Sequence, residues 1–307
     1  MNPTDYLALL ILEQPEEGLL QEFSRLYPHG TYQIGIFERS SSDIPDIDVP
    51  KIFVRPKAPL LHQITEGRTS FSVNLISSGS DKSNDMAARL ITHPHITNLS
   101  WIGYQTYLTP PELLAQLYTR NFSALRLGSY RENCQRAEPL IRNNHLSFID
   151  LSAIRHSDAP DGLGMGPNGL YAEEVCQLAH YVGVSTHPNE CYIYGYPRKI
   201  KQSQLITILL AQILWHLFEG LSLGQNEDPS QQNQKMLFTA KEVYMGDHDH
   251  VLHFLHSNQT GRWWIKLELE EGSHYYVPCM YEEYTSALKG ELPITWLRYF
   301  QKNNPLL

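Results

Sequence analysis

Short apolar runs separated by polar turns occupy the first two thirds of the chain. The first covers residues 6–12, and those that we interpret as strands cover residues 32–36, 51–54, 72–76, 99–104, 125–128, 147–150 and 191–194. Helical periodicity predicts helices at residues 19–26, 110–118, 134–142, 171–182 and 202–222. Strands that alternate with helices indicate an α/β fold. We expect a mostly parallel sheet between two helical layers, a three-layer α/β/α domain over residues 1–224.

The pattern changes after residue 224. Residues 225–235 form a polar, low-complexity stretch that predicts a loop. Three apolar segments then follow, at residues 236–243, 250–255 and 262–269. Polar residues that end with Gly261 predict a turn between the last two segments. This pattern is typical of antiparallel strands. We therefore expect residues 236–307 to be a β-rich C-terminal extension with a final helix, packed on the same domain.

Composition narrows the class of protein. The chain has 307 residues, 42% of them hydrophobic, which is enough for a large core. A net charge of −9 argues against nucleic acid as the main partner. Four cysteines without a CxxC pair indicate reduced thiols. The apolar helix at 205–217 is interrupted by polar residues, so we expect a core helix, no membrane association and a cytoplasmic protein.

Residues 147–174 carry the most specific pattern. Asp150 ends a buried strand, Ala159-Pro160 and a glycine-rich run follow, and Gly169-Leu170 precedes a helix. Strand, glycine loop and helix in this order build a site at the carboxyl edge of a parallel sheet. The glycines at 162, 164 and 166 do not directly follow a strand, which argues against a dinucleotide loop.

This order and spacing resemble the ureohydrolase family, which includes arginase, agmatinase and formimidoylglutamase. The family signature is Ser-x-Asp-x-Asp-x-x-Asp-Pro-x-x-Ala-Pro, a Gly/Thr loop, and Gly-Gly-Leu. Counted from Asp150, the Ala-Pro and Gly-Leu pairs match, whereas Ser152 replaces the second Asp and Arg155-His156 replaces Asp-Pro. The resemblance implies an arginase-like fold. It also implies a site whose ligands have diverged.

The resemblance also implies which positions would hold two manganese ions. Asp81 and Asp150 keep a carboxylate at two of the six ligand positions, and the sequence after residues 52–54 has Arg55 and Lys57 where Asp and His are expected. The positions without a ligand side chain are Ser77, Gly79 and Ser152. Two dications roughly 3.5–4 Å apart repel by about 20 kcal/mol at an effective dielectric constant of 20. Two carboxylates cannot offset that repulsion, so we expect no cofactor; the alternative is Mn2+ in a divergent or single-metal site.

A second departure concerns the substrate. The family places a glutamate at a later strand end to receive the guanidinium group, and this chain has Gly195 at about that position. The segment Gly246-Asp247-His248 resembles a metal loop, but its place in the C-terminal extension favours a hairpin turn.

Two groups of residues remain as binding candidates. Arg155, His156 and Asp158 form either a new polar site or a surface loop joined by ion pairs. Trp263 and Trp264 belong to an aromatic-rich tail, and such residues are enriched at protein interfaces and also in packed interiors.

The leading hypothesis is therefore a catalytically inactive ureohydrolase-like protein that acts as a binding or scaffold module, with a protein partner or a second copy of itself. The alternative is an active, metal-dependent hydrolase of linear amidines. A small-molecule sensor that reuses the pocket is a third possibility that the sequence does not separate from the first.

Overall fold

The computed structural model describes residues 6–14, 16–26, 33–39, 44–79, 86–160, 166–185, 190–196, 204–223, 227–246, 250–268 and 273–303. The chain divides into two compact units. The first consists of Met1–Gln116 with Ser123–Gln225, and the second of Leu117–Phe122 with Asn226–Leu307.

An eight-stranded parallel sheet organises the first unit. Its strands are β1 (Ala8–Leu12), β2 (Ile34–Glu38), β3 (Lys51–Arg55), β4 (Phe71–Ile76), β5 (Ile96–Tyr104), β6 (Ser123–Arg126), β7 (Leu146–Asp150) and β8 (Glu190–Tyr194). Their order in the sheet is β2-β1-β3-β8-β7-β4-β5-β6. Because neighbouring strands are parallel, the residues that follow β3, β8, β7 and β4 meet at one carboxyl edge.

Both faces of this sheet are covered. All residues of β1 and β4 are buried, and alternate side chains of a strand point to opposite faces. On one face Ile149 and Ile193 join a core cluster that also contains side chains of the helices. On the other face Leu75, Trp101 and Phe148 have no exposed surface. The predicted three-layer α/β/α fold is confirmed.

Eight helices accompany the sheet among the described residues. They are α1 (Glu17–Leu26), α2 (Leu61–Thr65), α3 (Met86–Thr92), α4 (Pro111–Thr119), α5 (Leu127–Glu132), α6 (Ala137–Ile141), α7 (Ala172–Gly183) and α8 (Gln204–Leu223). Helices α7 and α8 pack against each other with very close backbones. A Cβ atom added at Gly183 would lie 2.2 Å from the carbonyl oxygen of Leu217, and one at Gly220 would lie 2.5 Å from that of His180.

Helix α8 is long and apolar enough to cross a bilayer by length and composition alone. However, 56% of its most apolar 18-residue window is buried inside the protein, where it contacts α7 and α1. These contacts are those of a core helix.

The second unit contains a four-stranded antiparallel sheet with the order β12-β11-β10-β9. Its strands are β9 (Phe238–Met245), β10 (His250–Ser257), β11 (Trp263–Glu268) and β12 (His274–Cys279), and two helices follow, α9 (Tyr281–Ala287) and α10 (Ile294–Asn303). Phe254, Ile265 and Val277 pair across three strands and form its core with Ala287. The predicted antiparallel strands are confirmed, and β12 and α9 were not predicted.

Candidate functional site

Three polar side chains form a row across the carboxyl edge of the parallel sheet. Tyr194 of β8 pairs in register with Arg55 of β3 on one side and with Asp150 of β7 on the other. Neighbouring strands lie about 4.8 Å apart, which places the Arg55 and Asp150 backbones about 10 Å from each other. This row occupies the edge where the resemblance implies metal ligands.

An aromatic stack supports the row from two residues below. The ring of Tyr192 lies between those of Phe53, at a centroid distance of 4.7 Å, and Phe148, at 5.4 Å. These three residues are also in register across β3, β8 and β7. Because each stacked ring restricts its neighbours, the backbone that positions Arg55, Tyr194 and Asp150 is firmly packed.

The Asp150 carboxylate is engaged by its own surroundings. Its Oδ1 accepts a hydrogen bond of 2.9 Å from the backbone N–H of Ser152, which caps the short 3-10 turn Leu151–Ala153. The buried phenol of Tyr194 lies beside the same carboxylate. Burial of the phenol, together with the negative charge of Asp150, raises the pKa of Tyr194 well above its ordinary value. Tyr194 is therefore a neutral neighbour of Asp150.

Gly195 fits closely against Asp150. Its φ of +89° lies in the left-handed region, which side chains rarely adopt. A Cβ atom at this position would lie 2.7 Å from Asp150 Oδ1 and 3.4 Å from the backbone nitrogen of Ser152. The backbone N–H of Gly195 also donates to the carbonyl oxygen of Pro56 at 3.3 Å. The position where a glutamate would receive a substrate cation thus has no room for a side chain.

The loop after β4 is closed by packing. The Ser77 hydroxyl accepts a hydrogen bond of 2.9 Å from the indole nitrogen of Trp101. A Cβ atom at Gly79 would lie 2.6 Å from both Cβ and the carbonyl oxygen of Leu108. Ser77 and Gly79 therefore serve contacts within the fold, and Asp81 lies outside the described residues.

Arg55 is paired on the side away from Asp150. Its Nε lies 2.9 Å from Glu13 Oε2, and its side chain is 12% exposed. Burial lowers the pKa of the guanidinium and Glu13 opposes that effect. Burial and the carboxylates of Glu16 and Glu13 raise the pKa of the buried phenol of Tyr196. A cation paired with Glu13 therefore stands at the strand end where the resemblance implies a ligand.

These residues do not fit a pair of manganese ions. Among the described ligand positions only Asp150 carries a carboxylate, and Ser152, Ser77 and Gly79 carry none. Within the described ranges no group of three or more His, Cys, Asp and Glu side chains is arranged to hold a metal ion. A two-ion centre needs about four negative ligands to offset the mutual repulsion of its ions.

Arg155 and Asp158 join the loop after β7 to the start of α7. Arg155 Nε lies 2.6 Å from Asp158 Oδ1, and Asp158 Oδ2 accepts a hydrogen bond of 3.0 Å from the backbone N–H of Ala172. Burial opposes ionisation of Asp158, but these hydrogen bonds outweigh it and lower the pKa of the carboxyl. The guanidiniums of Arg155 and Arg131 each lie 4.0 Å from the ring centroid of Tyr171.

Arg155 and Asp158 thus form an ion pair within this loop, and a binding role for these residues stays a prediction. His156 is exposed, and its backbone N–H donates to the carbonyl oxygen of Gly166 at 3.0 Å. The other two glycines of the run, at 162 and 164, lie outside the described residues.

The two tryptophans of the second unit have different environments. Trp264 has no exposed surface, and its ring meets that of Phe238 edge to face at 5.3 Å. Trp263 is half-buried and stacks on Tyr284 at 4.8 Å, with Tyr281 at 5.3 Å. Because a fully buried ring has no surface to offer a partner, Trp264 serves packing.

Only the first and last residues of the remaining metal-like motif, Gly246 and His250, are described. Met245 pairs with His250 at the ends of the antiparallel strands β9 and β10. Gly246 has a φ of +60°, and residues 247–249 lie outside the described residues.

A groove on the surface of α7 and α8 was not predicted from the sequence. Its volume is about 1120 Å³, and Cys176, His180, Tyr181, Trp215 and His216 are among its lining residues. His180 Nδ1 lies 2.7 Å from Glu219 Oε2. Burial, followed by the nearby Glu173 carboxylate, raises the pKa of the Cys176 thiol to about 12, so this cysteine is a poor nucleophile at neutral pH. The groove is lined by residues spaced 3–4 apart on each of two helices. This spacing shows in the sequence which residues share a face of one helix, but not how the two helices pack against each other.

Comparison with solved structures identifies the fold. No protein-family model and no curated protein matches the chain. Formiminoglutamase from Trypanosoma cruzi with Mn2+ is similar over 73% of this chain and 96% of its own, with a TM-score of 0.56 and 10% identity. Formimidoylglutamase from Bacillus subtilis is similar over 73% of this chain and 90% of its own, with a TM-score of 0.55 and 11% identity. Arginase from Bacillus cereus is similar over 72% of this chain and 99% of its own, with a TM-score of 0.54 and 9% identity. The chain has an arginase-like fold with a separate antiparallel sheet at its C-terminal end.

Proposed function

We propose that this protein is a catalytically inactive member of the arginase-like fold that acts as a binding or scaffold module for a protein partner or for a second copy of itself. The observation that carries the proposal is the row of Arg55, Tyr194 and Asp150, with Gly195 against the carboxylate. A cation, a neutral phenol and a glycine stand where hydrolysis would need negative ligands.

Amidine hydrolysis is difficult to reconcile with these residues. Attack on a guanidinium or formimino carbon needs a strong nucleophile, and a metal ion supplies one by lowering the pKa of bound water to about 7. Asp150 could act as a general base without a metal, but its Oδ1 already accepts the Ser152 N–H and its carboxylate lies beside Tyr194. The Arg55 guanidinium would also repel a cationic substrate at the same edge.

The decisive experiment measures metal content and turnover on the full-length protein. We expect substoichiometric manganese after purification in its presence, and no hydrolysis of arginine, agmatine, guanidinobutyrate or formiminoglutamate. The variants Asp150→Ala and Asp150→Asn provide the control. Asp150→Asn keeps the shape of the side chain and an oxygen that accepts the Ser152 N–H. A loss of activity in this variant would therefore reflect the missing negative charge and not a loss of folding.

Two bound manganese ions with turnover lost in both variants would establish the alternative, a divergent metal-dependent hydrolase. A ligand that raises the melting temperature without turnover would instead support the sensor hypothesis.

A further inference from the structure

The groove on the surface of α7 and α8 combines an open cavity with aromatic side chains. Its volume of about 1120 Å³ is large enough for a small organic molecule. Tyr181 of α7 and Trp215 of α8 line it and are both half-buried, so each ring keeps part of its surface open. Close packing of the two helices at Gly183 and Gly220 fixes the elements that carry the rings.

Negative charge at this groove is not fully offset. No lysine or arginine is among the described residues that line it, whereas Glu173 and Glu174 are. Glu174 Oε1 lies 3.0 Å from Arg131 Nε, which balances its charge. Glu173 is exposed and forms no hydrogen bond or ion pair within the described ranges. The charge of Glu173 also acts on Arg155, but that guanidinium is paired with Asp158, so the Glu173 carboxylate stays available to a ligand.

The other titratable groups of the groove add no free positive charge. Burial lowers the pKa of His216, and Glu219 opposes that effect without cancelling it, so the ring is neutral at neutral pH. His180 Nδ1 lies 2.7 Å from Glu219 Oε2, and a proton on His180 would therefore be balanced by that carboxylate. Burial raises the pKa of the Tyr181 phenol, which stays uncharged.

The chemistry that complements such a groove is a cation with an apolar body. The negative face of an aromatic ring attracts a cation, and Trp gives the strongest contact of this kind. We propose that the groove on α7 and α8 binds small organic ammonium ions, with the ammonium group at the Glu173 carboxylate and the apolar body against Tyr181 and Trp215. An anion would be repelled by Glu173, and an uncharged molecule would lose the contacts of the ammonium group. Such a site requires neither a protein partner nor the altered carboxyl edge, so it holds or fails independently of the function proposed above.

The test compares the binding of two probes, phenethylamine and phenethyl alcohol, to the full-length protein. They share an aromatic body, but only phenethylamine carries a positive charge at neutral pH. Titrations followed by the nuclear magnetic resonance line widths of each probe give the two dissociation constants. We expect phenethylamine to bind at least about fivefold more tightly, the combined effect of a cation–π contact and an exposed ion pair. Equal affinity for the two probes, or no binding of phenethylamine in the millimolar range, would overturn the proposal.

Three variants locate the site. Glu173→Gln removes the charge and should weaken phenethylamine binding about threefold, while phenethyl alcohol binding stays unchanged. Glu112→Gln is the matched control, since Glu112 is also an exposed carboxylate in the first turn of a helix, α4, and is not among the lining residues of the groove. Trp215→Leu keeps an apolar side chain and should weaken the binding of both probes, with the larger loss for phenethylamine.

Two further outcomes would contradict the placement in this groove. Equal effects of Glu173→Gln and Glu112→Gln would show only a general attraction of cations by an acidic protein, and would overturn the proposal. A loss of phenethylamine binding in Asp150→Asn with none in Glu173→Gln would place the ammonium ion at the carboxyl edge of the sheet, which overturns it as well.

Discussion

Single residues decide the character of the carboxyl edge, and Gly195 is the clearest example. A left-handed φ of +89° and a Cβ position 2.7 Å from Asp150 Oδ1 are two independent reasons for glycine. The first concerns the backbone alone, and the second concerns the carboxylate. The two contributions are separable because other glycines in the chain share the backbone conformation without the contact.

We predict that Gly195→Ala lowers the free energy of unfolding by about 2–4 kcal/mol, from left-handed strain of about 1–2 kcal/mol and overpacking of similar size. Gly67→Ala is the matched control, since Gly67 has a φ of +75° and a Cβ atom added there would meet no atom within 4 Å. Urea denaturation of both variants measures the difference. The contact argument is wrong if the two lose equal stability, or if Asp150→Ala does not restore part of the loss in Gly195→Ala.

At the scale of elements, most of the fold could be predicted from the sequence. Short segments centred on large apolar residues mark the strands of a buried parallel sheet, and the predictions at 51–54, 72–76 and 147–150 lie within one residue of the observed strands. Strand β12 escapes prediction because Pro278 argues against a strand, and it lies at the sheet edge, where proline is tolerated. Residues 127–128, predicted as the end of a strand, instead begin α5.

The candidate site was less predictable. The positions of Asp150 and Gly195 followed from the motif, but the part played by Tyr194 did not. Its place between Arg55 and Asp150 depends on the order β3-β8-β7 and on parallel register. Neither is encoded locally, because these three strands are far apart along the chain.

Helices α7 and α8 supply an element-scale prediction. Gly183→Ala would bring a methyl group to 2.2 Å from the Leu217 carbonyl oxygen and 2.8 Å from the Leu221 nitrogen, both backbone atoms that cannot move alone. We expect a loss of about 3 kcal/mol or more in the free energy of unfolding, since overpacking against side chains already costs about 1–3 kcal/mol.

The matched control for that variant is Gly128→Ala in α5. There the nearest atom, Arg126 Nε, is 4.0 Å from a Cβ position, so helix propensity should leave stability unchanged or raise it by up to about 1 kcal/mol. Thermal melts followed by circular dichroism compare the two. Similar melting temperatures for both variants would contradict the close helix contact.

At the scale of the whole molecule, both units expose large apolar side chains. The second unit carries several exposed large apolar side chains: Met236, Tyr244, Tyr281, Leu288, Leu292 and Ile294. Scattered apolar residues are ordinary on protein surfaces, but Tyr281 also contacts the half-buried Trp263. A rigid aromatic group with one exposed member is the usual form of an interface anchor. If the chain acts by binding, this group is where binding should be concentrated.

We therefore predict that the full-length protein self-associates and that Tyr281→Ala weakens the association at least about tenfold, the effect of losing an anchor worth about 1.4 kcal/mol or more. Tyr244→Ala is the matched control, because Tyr244 is 56% exposed and Tyr281 is 54% exposed, while only Tyr281 contacts Trp263. Sedimentation velocity across a concentration series measures both. If the unmodified chain stays monomeric throughout, or if both variants weaken association equally, the aromatic group is not a self-association surface. A specific loss in Tyr281→Ala would place the binding activity in the second unit.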